Sequence, residues 1–228
     1  MPAPRDEDAP VTSLEAEERA QFVLWLRARG IRDLRLLRAL ERAPRALFMP
    51  QRYGDIAARD IALPIGCGQT APPPSIVAAM IEALDPRPGR RVLEIGTGTG
   101  YAAALLAQLA GEVVSLERRQ TLALEAAARL EAFGLANVRV AWADGLALDP
   151  AGGLFDRILV HALIETPASR LTGLLAEGGA LVAAVAADAS GDQRIIRLTR
   201  EATGEIVASA HGAARTFMPL AEGLARAL

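Results

Sequence analysis

The sequence predicts an α/β fold with a doubly wound, mostly parallel sheet, and two observations point to it. After Arg90, short apolar runs alternate with stretches of helical periodicity, which is the pattern of β–α–β units. A glycine-rich turn also connects the first of these apolar runs to the helical stretch that follows it. Because crossovers between parallel strands are right-handed, helices should cover both faces of the sheet. We therefore expect a Rossmann-like sheet with an antiparallel closing strand and an N-terminal helical cap.

Apolar runs in the second part of the chain predict the strands of this sheet. The runs that alternate with helices cover residues 91–96, 112–117, 138–143, 156–161 and 180–185. Two more runs, 194–200 and 205–211, predict a closing pair whose order in the sheet the sequence leaves open. The connecting helices are predicted over residues 100–109, 120–133 and 167–175.

The first third of the chain is predicted to form the helical cap. Residues 1–12 are rich in proline and acidic side chains and are expected to be a disordered tail. The segment 13–84 is predicted to hold helices that begin near residues 12, 33 and 75 and are bounded by glycine or proline. Residues 44–74 are expected to be mostly loop. The remaining segment, 85–228, is expected to be one ligand-binding domain.

Composition and charge narrow the classes of function. The 228 residues are 51% hydrophobic, which is enough for a large core. A formal net charge of -2 provides no basic field, so we expect no nucleic-acid partner. The apolar runs are far shorter than the roughly 20 residues that cross a bilayer, and the single cysteine, Cys67, cannot form an internal disulfide. We expect a cytoplasmic protein with no membrane segment and no metal site, and a monomer rather than an oligomer.

The stretch VLEIGTGTGY, residues 92–101, carries the clearest chemical signal. Its glycines let the backbone approach a ligand closely at the carboxyl end of a strand, where open α/β sheets bind nucleotides. A dinucleotide fingerprint has the spacing G-x-G-x-x-G and places a pyrophosphate at the following helix. Here the third glycine comes one residue early, and Glu94 would repel a phosphate but suit a cation. S-adenosylmethionine carries a sulfonium and an α-amino group and no phosphate, so these features favour it over NAD.

Acidic residues also mark the next two predicted strand ends. Glu117 lies 19 residues after Gly98, where a carboxylate can accept hydrogen bonds from both ribose hydroxyls. Asp144 and Gly145 follow the third strand, where an aspartate can accept from an adenine amino group. Acids at three successive strand ends are hard to explain by coincidence. We therefore interpret this edge of the sheet as a site for S-adenosylmethionine.

These motifs resemble the class I S-adenosylmethionine-dependent methyltransferases, and more narrowly the protein-L-isoaspartate O-methyltransferase family. The glycine motif is shared by the whole class, whereas ALPIGCGQT at residues 62–70 is similar to a signature of this one family. Other similar segments lie at residues 30–50, 92–118, 143–145, 155–160, 177–185 and 217–220. The resemblance implies methylation of the free carboxylate of an L-isoaspartyl residue in a damaged protein or peptide. The methyl ester then collapses to a succinimide, which hydrolyses partly back to aspartate.

The resemblance also implies roles for individual residues. It places the glycine loop around the methionine part of the cofactor, Glu117 at the ribose, and Asp144 with Gly145 at the adenine. The segment 85–228 is then the methyltransferase domain, and the loop before it covers the cofactor and frames the acceptor pocket. The residues expected to bind the cofactor are Gln69, Thr70, Glu94, Gly96, Thr97, Gly98, Gly100, Tyr101, Glu117, Arg118, Asp144 and Gly145.

The acceptor side departs from the family pattern. The family continues GQT as GQTIS and its serine is taken as an active-site residue, whereas this chain has Pro72 at that position. The candidates for catalysis are then Thr70, Ser75, which begins a helix three residues later, and His161, which ends the fourth strand. Two alternatives to protein repair therefore stay open. One is a methyltransferase of the same fold with another acceptor, such as a modified peptide or a small molecule; the other is a cofactor-binding module without catalysis.

Overall fold

The structure is a computed structural model that describes residues 13–166, 168–187, 192–213 and 217–225. The predicted tail, residues 1–12, lies outside the described residues. The α-helices are α1 (Ser13–Ala28), α2 (Leu34–Arg42), α3 (Pro74–Leu84), α4 (Tyr101–Leu109), α5 (Gln120–Ala132) and α6 (Ser169–Thr172). The strands are β1 (Leu63–Pro64), β2 (Thr70–Ala71), β3 (Arg91–Ile95), β4 (Glu112–Glu117), β5 (Val138–Trp142), β6 (Phe155–Leu163), β7 (Leu175–Ala186), β8 (Gln193–Arg200) and β9 (Ile206–Ala213).

The main sheet of the described residues has the order β5-β4-β3-β6-β7-β8-β9. Strands β3 to β7 pair in parallel, β8 is antiparallel to β7, and β9 is antiparallel to β8. The predicted mostly parallel, Rossmann-like sheet is confirmed. The closing pair follows in chain order, and β8 is the strand that runs against the others. The sheet therefore decides the one point of topology that the sequence leaves open.

The order of the strands creates a place for a ligand. From β3 the chain continues to β4 and β5 on one side and then returns to β6 on the other side. The carboxyl ends of β3 and β6 are neighbours at this reversal, where open α/β sheets leave a crevice. The strands that frame the crevice are apolar and covered on both faces, and Val92, Leu93, Ile158 and Leu159 are all fully buried. Parallel strands of this kind form a rigid base for the site.

The predicted helix over residues 167–175 is wrong in extent. The described helix here is only α6, Ser169–Thr172, and Leu175 already belongs to β7, where it pairs with Phe155. Residue 167 lies outside the described residues. The side chains of Leu171, Leu174 and Leu175 are all buried, so the local spacing resembles one apolar helix face. Pairing with β6, a contact distant in sequence, places the last of them in a strand instead.

The N-terminal helices pack onto the sheet and share its core. Helix α2 lies against α4, and α3 lies against β6 and β7. Leu36, Leu37 and Leu40 are buried in the same hydrophobic cluster as Leu105 of α4. None of the helices in the described part of the chain combines the length and apolar character needed to cross a membrane. Because the N-terminal helices share the core of the sheet, they hold the loop between α2 and α3 in position.

The segment 44–74, predicted to be mostly loop, contains short regular pieces. Three 3-10 helices cover Arg45–Phe48, Gln51–Ile56 and Gly66–Gly68, and β1 and β2 form a small antiparallel hairpin. At the tip of the hairpin Cys67 has a φ of 58°, the left-handed region that residues other than glycine rarely adopt. We call residues 62–73 the covering loop, because they lie across the carboxyl edge of the main sheet.

Candidate active site

A cavity of about 230 Å³ lies at the carboxyl ends of β3, β4 and β6, beneath the covering loop. The predicted site residues that line it are Gln69, Thr70, Gly96, Thr97, Gly98, Tyr101, Glu117 and His161. Pro72, which stands at the position of the family's serine, also lines it. The predicted residues outside the lining are Ser75, Glu94, Gly100, Arg118, Asp144 and Gly145. The fold thus brings the covering loop and the glycine loop to opposite sides of one space.

The glycine loop needs its glycines for two different reasons. Gly96 has a φ of 93°, and a Cβ atom on it would lie 3.3 Å from the Cβ of His161. Gly100 has a φ of 90°, precedes α4, and would place a Cβ 3.3 Å from the Cβ of Ala126 in α5. Gly96 lines the cavity and Gly100 does not. Gly96 therefore keeps the backbone open to a ligand, while Gly100 permits close packing of helices.

Glu117 ends β4 and presents a carboxylate that is nearly buried, with 6% exposure, to the cavity. Its Oε2 accepts a hydrogen bond from the backbone N–H of Gly98 at 3.0 Å, and its Oε1 accepts from the N–H of Arg119 at 3.0 Å. A carboxylate offers about four lone-pair positions, so each oxygen can accept one more hydrogen bond. The arrangement fits an acceptor for two neighbouring hydroxyl groups.

Glu94 lies beneath the glycine loop and is fully buried. Its Oε1 is 3.1 Å from Nε2 of His161, and its Oε2 accepts from the hydroxyl of Ser115. Thr97 Oγ1 lies 2.6 Å from Ser115 Oγ and must be the donor there, because Ser115 gives its proton to Glu94. Glu94 does not line the cavity, but its neighbours Thr97 and His161 do. Its charge therefore acts on the cavity through those two side chains.

Three of the predicted cofactor residues, Arg118, Asp144 and Gly145, have structural roles at the strand ends, and the first two hold the C-terminal segment. Asp144 Oδ2 accepts from the N–H of Gly223 at 2.7 Å, and Arg118 donates to the carbonyl of the same residue at 2.9 Å. A Cβ on Gly145 would lie 2.6 Å from Cγ2 of Ile95, so glycine is required for packing at this strand end. These three predicted residues thus have structural partners beside the cavity, and their role in binding a cofactor stays a prediction.

The covering loop forms one wall of the cavity. Thr70 supplies a hydroxyl to the lining, and Gln69 donates from Nε2 to the carbonyl of Cys67 at 3.2 Å. Pro72 contributes an apolar ring. Ser75 lies in α3 outside the lining, and its N–H donates to Asp60 Oδ1 at 3.1 Å. The hydroxyl absent at position 72 is therefore not replaced by Ser75 in this conformation.

Sequence reasoning missed Arg45, which lines the cavity and is only 3% exposed. Its guanidinium donates to the carbonyls of Ala57 at 3.0 Å, Ile61 at 3.3 Å and Pro72 at 2.9 Å. Burial lowers the pKa of this guanidinium. The three bonds tie the first 3-10 helix to the segment just before the covering loop and to Pro72 near the end of that loop. The family-like segment 30–50 contains Arg45 and was the available signal, but nothing in its local pattern indicates these partners.

Three buried polar atoms show that the cavity suits a polar ligand. Among the described residues, the buried side-chain atoms without a hydrogen-bond partner are Arg45 Nε, Tyr101 Oη and His161 Nδ1. All three residues line this one cavity. Burial also raises the pKa of Tyr101, so its hydroxyl keeps its proton and can donate. Because buried polar groups are normally satisfied, these atoms indicate partners that a bound ligand would supply.

Comparisons with known proteins show the family of this chain. The family model described as Protein-L-isoaspartate(D-aspartate) O-methyltransferase (PCMT) matches residues 17–225. A protein-L-isoaspartate O-methyltransferase 1 of Rhodopseudomonas palustris (strain HaA2) is 47% identical over 203 residues, covering 89% of this chain and 82% of the relative. A protein-L-isoaspartate O-methyltransferase of Azorhizobium caulinodans is 43% identical over 220 residues, covering 96% of this chain and 100% of the relative.

Solved structures show the same architecture. A protein-L-isoaspartate O-methyltransferase superposes with a TM-score of 0.77 at 27% identity, covering 90% of this chain and 67% of the other. A Plasmodium falciparum protein, titled as a putative enzyme of this kind in complex with S-adenosyl-L-homocysteine, has a TM-score of 0.75, with 89% of this chain and 98% of that chain covered. Its identity of 22% supports the fold alone.

The strand order, the glycine loop and the strand-end acids define the class as that of the S-adenosylmethionine-dependent methyltransferases. Within that class, the chain belongs to the protein-L-isoaspartate O-methyltransferase family, because the family model spans nearly the whole chain and the relatives match over most of their length. The resemblance found in the sequence is thereby confirmed.

Proposed function

We propose that this protein transfers a methyl group from S-adenosyl-L-methionine to the free carboxylate of L-isoaspartyl residues in damaged proteins. The observation that carries the proposal is the single cavity in which the family-specific covering loop faces the glycine loop and Glu117. The covering loop supplies the acceptor wall, and the strand ends supply the donor site.

The donor side of the cavity fits S-adenosylmethionine. Glu117 has lone pairs free for the two ribose hydroxyls, and Gly96 and Gly98 leave the backbone open beside it. Glu94, Thr97 and Tyr101 are proposed to surround the methionine part, and Gln69 and Thr70 to cover it. Gly100, Arg118, Asp144 and Gly145 complete the proposed set, with the last two at the adenine. The unpartnered Tyr101 hydroxyl suits an anionic group such as a carboxylate.

The reaction requires little acid–base catalysis from the protein. When bound, S-adenosylmethionine supplies an electrophilic methyl group on a sulfonium. A carboxylate oxygen forms the new bond to that methyl carbon as the carbon–sulfur bond breaks and its electron pair goes to sulfur. The acceptor is already ionised at neutral pH, so no general base is required. The task of these residues is to align the two groups and to exclude water, and orientation alone can contribute on the order of 7–11 kcal/mol.

The test is an assay with labelled S-adenosylmethionine and a peptide that contains L-isoaspartate. The matched control is the same peptide with ordinary aspartate at that position. We expect transfer of label to the isoaspartyl peptide only, with a base-labile methyl ester as product. Equal or no labelling of the two peptides would reject the proposal. Turnover of any defined acceptor would also reject the alternative of a module without catalysis.

A second candidate function rests on Pro72. The family's active-site serine position is a proline in the cavity wall, so a methyltransferase of the same fold could accept a different group, such as a modified peptide or a small molecule. Labelling a cell extract with the pure protein separates the two functions. Label confined to isoaspartyl proteins supports repair, whereas label on other molecules and none on isoaspartyl peptides supports the second function.

We also propose a partner, an oligomeric state and a cellular location for the protein. A protein or peptide is the proposed partner, and the net charge of -2 supports no role with nucleic acid. We also propose that the protein acts as a monomer. The free, half-buried Cys67 suits the reducing environment of the cytoplasm, where we propose that the protein works.

A further inference from the structure

His161 has one ring nitrogen in use and one without a partner. Its side chain is 92% buried, since 8% is exposed, and Nε2 lies 3.1 Å from Glu94 Oε1. A carboxylate only accepts hydrogen bonds, so Nε2 carries the proton that the two groups share. Nδ1 is buried and has no partner. A histidine with a purely structural role would be expected to satisfy both nitrogens, as buried polar groups generally do.

His161 lies in the cavity that is proposed to hold the reacting groups. The residue lies on β6 next to Gly96, whose ideal Cβ would be 3.3 Å from that of His161. It lines the same cavity as Pro72, which provides no hydrogen-bonding side chain. An acceptor carboxylate that enters this cavity loses water and needs a hydrogen-bond donor in exchange. The covering loop lacks such a donor at position 72.

We propose that His161 binds the carboxylate acceptor through Nδ1 and so replaces the hydroxyl that position 72 lacks. This inference rests on the proposed function and assigns the residue that recognises its substrate. In the imidazolium form both ring nitrogens carry protons, so Nε2 donates to Glu94 and Nδ1 donates to one oxygen of the acceptor. The other oxygen is left to attack the methyl group. The product ester is neutral, so the attraction between opposite charges is lost and the product is released more easily.

The charged and titratable groups around the cavity are consistent with this role. Glu94 from β3 is in direct contact with the imidazole, and Glu117 from β4 lines the same cavity. Arg45 and Tyr101 line it from the cap and from α4. The terminal nitrogens of Arg45 are already bonded to three carbonyls, which leaves only its Nε free. His161 and Tyr101 therefore each keep a polar side-chain atom that no protein group uses, and Tyr101 is proposed to lie at the methionine part of the cofactor.

Two substitutions of His161 test the roles of its two ring nitrogens separately. The amide nitrogen of glutamine occupies about the position of Nε2, so His161→Gln keeps a donor to Glu94 and loses the group at Nδ1. The amide nitrogen of asparagine occupies about the position of Nδ1, so His161→Asn keeps a neutral donor to the acceptor and loses the bond to Glu94. His211 provides the matched control, because it is the only other histidine, is exposed on β9, and contacts Ser209.

The experiment measures KM and kcat for an isoaspartyl peptide, and the Kd of S-adenosylhomocysteine, for the full-length wild type and three variants, from about pH 6 to 8.5. We expect His161→Gln to raise the peptide KM about tenfold or more while the Kd changes less than about threefold. We expect the wild-type KM to rise as the imidazolium loses its proton, and both His161 variants to lose this dependence. His161→Asn should have a lower KM than His161→Gln, and His211→Gln should match the wild type.

A wild-type KM and pH profile in His161→Gln would overturn the inference, and so would a rise in the Kd of S-adenosylhomocysteine that equals the rise in KM. If His161→Gln does not fold, as judged by thermal unfolding, His161→Asn alone decides: a wild-type pH dependence of its KM overturns the inference. Absence of transfer by the wild type would refute the proposed function itself. Transfer by the wild type with no effect at His161 refutes only the role of this residue.

Discussion

Glu117 offers the sharpest test of the donor site, through the variants Glu117→Ala and Glu117→Gln. The carboxylate already holds two backbone N–H groups at 3.0 Å and is proposed to accept from two ribose hydroxyls as well. Hydrogen bonds to charged groups contribute about 1.5–3 kcal/mol each. Loss of both ribose bonds therefore corresponds to about 3–6 kcal/mol, or a Kd that is weaker by roughly 10²- to 10⁴-fold. Glutamine keeps one acceptor oxygen and should fall between alanine and the wild type.

The assay is isothermal titration calorimetry with S-adenosylhomocysteine, beside thermal unfolding of each protein. Glu117→Ala also leaves the N–H groups of Gly98 and Arg119 without their acceptor, which should lower the free energy of unfolding by about 1–3 kcal/mol. Glu201→Ala, at an exposed acid between β8 and β9, is the control and should change neither measurement. A folded Glu117→Ala protein that binds with the wild-type Kd would refute the ribose assignment.

Three further outcomes are expected. Pro72→Ser returns a hydroxyl to the acceptor wall and should raise kcat/KM for an isoaspartyl peptide; an unchanged or lower value would count against the proposed place of the acceptor. Gly145→Ala places a Cβ 2.6 Å from Ile95 and should lower the free energy of unfolding by about 1–3 kcal/mol in urea, and no loss would contradict the packing argument. Burial acts to raise the pKa of Asp33, but hydrogen bonds from Arg35 outweigh it and leave the pKa lowered. The ionised Asp33 thus stabilises the folded protein, and this stabilisation is lost as the pH falls through the lowered pKa. Asp33→Asn keeps the helix cap and should lose less stability than the wild type as the pH is lowered. An equal slope of stability against pH in the two proteins would refute this.

The predicted strands show what local pattern can and cannot establish. The runs that became β3, β4 and β5 were placed within one residue because continuous apolar strands between turns have few other solutions. The helix predicted over residues 167–175 was wrong in extent. Leu171, Leu174 and Leu175 are all buried, and burial alone does not distinguish a helix from a strand. Only the pairing of Leu175 with Phe155 distinguishes a strand from a second helical turn there. Such a pairing depends on residues distant in the chain.

The candidate site divides in the same way. The glycine loop and Glu117 could be predicted from the sequence, because spacing along the chain decides both their backbone conformation and their place at a strand end. The partners of Arg45 are three backbone carbonyls between positions 57 and 72. The pattern of side chains in a sequence does not indicate hydrogen bonds to backbone oxygens, so these partners could not be predicted. The pair of His161 and Glu94 joins residues 67 positions apart. Their contact exists because β3 and β6 are neighbours in the sheet.

The sequence by itself determined the fold class, the family and the donor half of the site, since each depends on motifs in which neighbouring residues act together. Its family-specific covering loop also showed, at Pro72, where the acceptor half departs from the family. The partner of His161, in contrast, was decided only by the tertiary structure. Parallel pairing of β6 with β3 brings His161 onto Glu94, and this contact uses one ring nitrogen and leaves the other buried without a hydrogen-bond partner.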